Sequence, residues 1–131
     1  MTLPTWYRIH AIVTIPFALP MVLIPRWLIE LITKGDVSPL AIDLARLVGA
    51  AYLLITILTW VAAGELRRRA QVILARVFCV YESIGVLVGL TIHFDANGDL
   101  GRWITVGFFA VFALGYLWFG FVTGRLEPAT G

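Results

Sequence analysis

The sequence predicts an all-α integral membrane protein: a four-helix bundle running up-down-up-down with both termini cytoplasmic. Three observations predict it. Of the 131 residues, 60% are hydrophobic and only 14% charged, against roughly a quarter charged in an ordinary soluble domain. The mean hydropathy is +0.92, so there is more apolar surface than so small a domain can hide from water. Disorder needs the opposite composition. Third, the apolar residues fall into four runs of about 20 residues, which at a helical rise of 1.5 Å cross roughly 30 Å of hydrocarbon. In lipid every backbone N–H and C=O needs a partner within the protein, which selects helices. Barrel strands would be about half as long and would alternate strictly. The four runs form a single transmembrane domain over residues 1–131.

The first run is Trp6 to Pro25. Pro16, Pro20 and Pro25 make it the least regular, with a kink expected near Pro16 and Pro20 and a short interfacial helix at Arg26 to Ile32. It reads as a span rather than a cleavable signal, because prolines interrupt it and no small-x-small cleavage site follows cleanly. The second run is Leu40 to Ala63, preceded by Ser38 as N-cap and Pro39 at the first helical position, and closed by Gly64. The third is Val72 to His93, ended by the turn-rich Asp95-Ala96-Asn97-Gly98-Asp99. The fourth is Trp103 to Thr123, ended by Gly124 and Pro128.

Orientation follows from the basic residues. Arg8, Arg67, Arg68, Arg69, Arg76 and Arg125 fall on one side of a four-span topology, and Arg26, Lys34 and Arg102 on the other. The richer side is cytoplasmic. Trp6, Tyr7, Trp27, Trp60, Trp103 and Trp118 fall at or near the interfaces, as an aromatic belt requires. Small residues at four-residue spacing, Ala41, Ala45 and Gly49, then Gly85 and Gly89, then Gly120 and Gly124, allow close helix approach.

Several functions are excluded. The net charge of +2 comes from arginines at membrane edges rather than a basic face, so no nucleic-acid partner is expected. The single cysteine, Cys79, excludes an intramolecular disulfide, a cysteine zinc site and a CxxC redox pair. No GxSxG, HExxH or P-loop is present, so no catalytic residue, metal or cofactor is assigned. His10 and His93 lie toward opposite ends of the bilayer, which argues against bis-histidine haem in one protomer. An interfacial role for each, or single axial ligation of a haem or chlorophyll, stays open. The loop from Asp95 departs from an EF-hand: position six is Leu100 and position twelve is Val106, so a polar turn is expected.

The ligand- or proton-binding candidates are Glu82, Arg46, Tyr52 and His93. Glu82 lies near the middle of the third run, where a carboxylate facing lipid would cost several kcal/mol. It must face protein, on a helical face shared with Ala75, Cys79, Gly85, Val86, Gly89 and His93. There it can bind a proton or cation, or tie its helix to a tyrosine, threonine or arginine. Arg46 can pair with Asp43 at i, i+3 and reach the headgroups, or extend toward Glu82.

Ala45-Arg46-Leu47-Val48-Gly49-Ala50-Ala51, Trp60-Val61-Ala62, Arg69-Ala70 and Ile84-Gly85 together resemble small bacterial four-helix integral membrane proteins, a domain of unknown function. The resemblance spans roughly residues 20 to 122. It implies four helices and brings no catalytic residues. Small multidrug transporters share the length and a lone membrane glutamate, but theirs is on the first helix. The small fluoride channels share the size, but their paired phenylalanines and threonine-rich motif are missing here. Two functions follow as expectations. One is an interaction or accessory subunit of a membrane assembly, holding a lipid or pigment, with the lipid bilayer and other membrane subunits or further copies of itself as partners. The alternative is a small proton-coupled transporter or channel using Glu82. The expected location is the bacterial inner (plasma) membrane.

Overall fold

The computed structural model of the chain describes residues 1–32, 37–95 and 100–124. Its elements are α1 (Leu3–Leu23), α2 (Pro25–Ile32), α3 (Pro39–Gly64), α4 (Arg68–Asp95) and α5 (Leu100–Leu117), with a π-helical turn at Trp118–Val122. Four helices are long and apolar enough to cross a membrane, over Leu3–Leu23, Pro39–Gly64, Arg68–Thr91 and Trp103–Val122. The chain divides into two compact units, Met1–Glu65 and Leu66–Gly131. Lys34, Ala96-Asn97-Gly98-Asp99, Arg125 and Pro128, which entered the turn, cap and charge readings, lie outside the described residues. So do the side chains of His93, Asp95 and Arg102.

In the first unit, Thr2 caps α1 through its hydroxyl, which accepts from the Thr5 N–H at 3.4 Å. The helix continues through Pro16 and Pro20 and stops at Ile24, with φ −136° and ψ 54°. The reason is local: a residue before proline is pushed out of the α region, and Pro25 follows. The expected short helix forms as α2, one residue longer than read at its start. Its exposed face carries an Arg26–Glu30 pair at 3.8 Å. Ser38 caps α3 as expected, accepting from the Ala41 N–H at 3.2 Å, with Pro39 next.

The buried residues of α1 are Leu3, Trp6, Tyr7, His10, Ala11, Thr14 and Ala18, an unbroken i, i+3/i+4 stripe. Those of α3 are Gly49, Thr56, Thr59, Ala62 and Ala63, all small. Of the spaced trio Ala41, Ala45 and Gly49, only Gly49 is fully buried. A Cβ there would lie 2.6 Å from Met21 Cβ and 3.0 Å from the Val22 nitrogen. Both atoms belong to or hang directly from the backbone of α1, so a methyl group would have to push the two helices apart.

In the second unit, contacts climb α4 as they descend α5. Gly89 meets Val106, with 2.8 Å from an added Cβ to Cγ2. A Cβ at Gly85 would enter the Phe109 ring, 2.6 Å from Cε1. Phe78 stacks on Tyr116 with ring centroids 5.3 Å apart. Gly120 packs against Arg76, where an added Cβ would lie 3.2 Å from the backbone nitrogen. The glycines read as packing residues on these two helices are therefore where the helices touch.

The π-helical turn has no signature that sequence periodicity would detect. It is closed by the Thr123 N–H on the Trp118 carbonyl at 2.9 Å, an i, i+5 bond. Arg76 crosses from α4 to hold this end. Its Nε donates to the Gly120 carbonyl at 2.9 Å and its Nη2 to the Gly124 carbonyl at 3.3 Å. The guanidinium also lies over the Phe121 ring, 5.2 Å from the centroid. A helix C-terminus presents carbonyls without intrahelical donors and a partial negative charge, and a guanidinium supplies both donors and charge.

Candidate functional site

The site is built on α4. Gln71, Val72, Ala75, Phe78, Cys79 and Glu82 are all buried, at the 3–4 residue spacing of one helical face. Glu82 is 1% exposed and lies well inside the span Arg68–Thr91. The helix-face reading of Glu82 with Ala75 and Cys79 is what the fold displays. Gly85, Val86 and Gly89 continue that face half-buried. Ser83, the next residue, points elsewhere: it is exposed, and its hydroxyl donates to the Cys79 carbonyl at 2.7 Å. A hydroxyl adjacent in sequence is thus bonded back to its own helix.

The remaining candidates behave differently from one another. Arg46 is exposed on α3 and reaches Asp43 on the same helix at 3.7 Å, with 57% and 71% of the two side chains exposed. This is the i, i+3 surface pair, worth at most about 1 kcal/mol. Tyr52 is half-buried on α3, and its carbonyl accepts from the Thr56 hydroxyl at 2.8 Å. His93 is on α4.

Two residues stand out that the sequence reading gave other parts. His10, weighed there as an interfacial histidine, is only 2% exposed, and its carbonyl accepts from the Thr14 hydroxyl at 2.8 Å. The 3–4 spacing from Leu3 to Ala18 was the signal for it, since His10 sits on that stripe. Arg76, counted as a cytoplasmic charge, is a structural clasp. No sequence signal marks it, because its partners are 44 and 48 residues away.

The buried polar side chains are His10, Thr14, Thr56, Thr59, Gln71 and Glu82. The threonines among them turn inward on their own helices, Thr59 donating to the Ile55 and Thr56 carbonyls at 2.9 Å each. Glu82 is the acid of the set. Among the described residues, no three His, Cys, Asp or Glu side chains gather closely enough to hold a metal ion. Chemically the arrangement offers one carboxyl group held inside a membrane span, able to accept or donate a hydrogen bond or exchange a proton. Comparison of the chain with protein-family models, with curated proteins and with solved structures found no match.

Proposed function

We propose that this chain is a multi-pass protein of the bacterial plasma membrane that serves as an interaction or accessory subunit of a larger membrane assembly. One observation carries the reading. Only 28–33% of the most apolar stretch of each span is buried within the chain. The open remainder includes large aromatic groups: Phe17, Trp60, Trp103, Trp118 and Phe121. Lipid, a bound pigment or neighbouring helices must cover these faces.

The test is the mass of the particle extracted from its native membrane in mild detergent. The expected result is an assembly several times the protomer mass of 14.5 kDa, either homomeric or with other membrane subunits. A lone protomer in every mild detergent and in nanodiscs would contradict it. The proposed orientation, up-down-up-down with both termini in the cytoplasm, has its own test in a Cys79→Ser background. Membrane-impermeant thiol reagent added outside should label Gly98→Cys and miss Arg68→Cys, and the reverse pattern would invert the topology.

A second reading, a small proton-coupled transporter or channel, is favoured by the burial of Glu82 inside a span. Its decisive test is argued in the Discussion.

A further inference from the structure

The first unit carries a pocket of about 340 Å³ lined by Arg8, Trp60, Val61, Gly64 and Glu65. From its lining we infer that it binds the headgroup of a zwitterionic phospholipid bearing a primary ammonium. The inference is independent of the subunit reading.

The pocket's position selects a lipid. Gly64 is the last residue of the span Pro39–Gly64, and Glu65 is its C-cap, so the pocket lies at a membrane edge, where headgroups sit. Trp60, 56% exposed, is placed one turn inside that edge, the depth at which an indole bridges acyl chains and headgroups. A volume near the lower end of the roughly 300–1,000 Å³ range of ligand pockets suits a small polar group whose tails remain in the bilayer.

The chemistry selects the headgroup. Arg8 supplies a planar fork of N–H donors matched to a phosphate. Glu65 supplies a carboxylate, and the carboxyl end of α3 beside it is the negative end of the helix dipole; both attract an ammonium. Among the described residues neither side chain makes an ion pair or side-chain hydrogen bond. An ammonium has N–H donors for Glu65. A trimethylammonium has none, and phosphatidylglycerol brings no cation at all. The arginines that follow in the chain, Arg67, Arg68 and Arg69, would by themselves attract anionic lipid. They predict the opposite preference, which makes the two sources of affinity separable.

The experiment is native mass spectrometry of the full chain released from nanodiscs holding equal parts phosphatidylethanolamine, phosphatidylcholine and phosphatidylglycerol. Wild type should retain phosphatidylethanolamine about tenfold over either competitor, the scale of one charged hydrogen bond. Glu65→Gln should erase the preference for phosphatidylethanolamine over phosphatidylcholine, and Glu65→Lys should turn it toward phosphatidylglycerol. Arg8→Gln should lower retention of all three. Both positions are exposed, so each variant is expected to fold, with Glu65→Lys no less stable than wild type because a cation suits the carboxyl end of α3. Equal retention of the three lipids, preference for phosphatidylglycerol in wild type, or an unaltered ratio in Glu65→Gln would overturn the inference.

Discussion

Arg76→Ala is expected to destabilise the end of the fourth span by about 2–4 kcal/mol, since hydrogen bonds to a charged donor contribute about 1.5–3 kcal/mol each and two share this guanidinium. The substitution removes the donors to the Gly120 and Gly124 carbonyls and the cation above Phe121. It leaves the carbonyls at the end of the π-helical turn without these donors. Arg76→Lys should recover part of the loss, because the charge remains but an ammonium on a flexible stem cannot span both carbonyls as the fork does. Thermal or denaturant unfolding in a mild detergent measures the difference. Amide exchange at Thr123 and Gly124 localises it. A melting temperature equal to wild type in Arg76→Ala, with unchanged protection at those amides, would show that the clasp contributes nothing.

Glu82→Gln is expected to leave folding and assembly nearly intact, and Glu82→Ala to cost about 1–3 kcal/mol through a lost hydrogen bond and a stranded partner. Glutamine keeps the shape and most of the hydrogen-bonding capacity of the acid, while alanine keeps neither. This contrast is the expectation for a glutamate that ties its helix into the protein, and it separates the two functional readings. In proteoliposomes, lumenal pH is followed as candidate substrates are added to wild type and Glu82→Gln. Under the subunit reading neither protein moves protons. A wild-type flux that Glu82→Gln abolishes, with oligomer and thermal stability unchanged, would sink that reading and establish the proton-coupled transporter.

The candidate site was legible in part. Glu82 could be found from sequence because a lone acid deep in an apolar run must be shielded from lipid, and helical periodicity then places Ala75 and Cys79 beside it. Arg46 was ambiguous, because its i, i+3 partner Asp43 and a reach toward Glu82 both satisfy the spacing. Within its own helix Arg46 lies 3.7 Å from Asp43. His10 was visible as part of a stripe, yet a histidine near the start of a span invites an interfacial reading. Arg76 was read only as a charge; its hold on Gly120 and Gly124 could not be, because those partners lie 44 and 48 residues away.

What the sequence determined by itself is what depends on neighbours within a few residues. Apolar length dictated four helices able to cross a membrane. Ser38 with Pro39 set the start of α3 through one hydroxyl and one fixed φ. Ile24 before Pro25 set the break between α1 and α2 through a steric clash. The spacing of Gly85, Gly89 and Gly120 marked surfaces where helices can approach. Only the tertiary structure decided which atoms meet there: Met21 and Val22 at Gly49, Phe109 at Gly85, and the Arg76 guanidinium at the carbonyls of the π-helical turn. The physical reason is that local preferences are summed over adjacent residues, whereas these contacts join positions tens of residues apart. Their geometry follows from how two whole helices pack, and no window of sequence contains both partners.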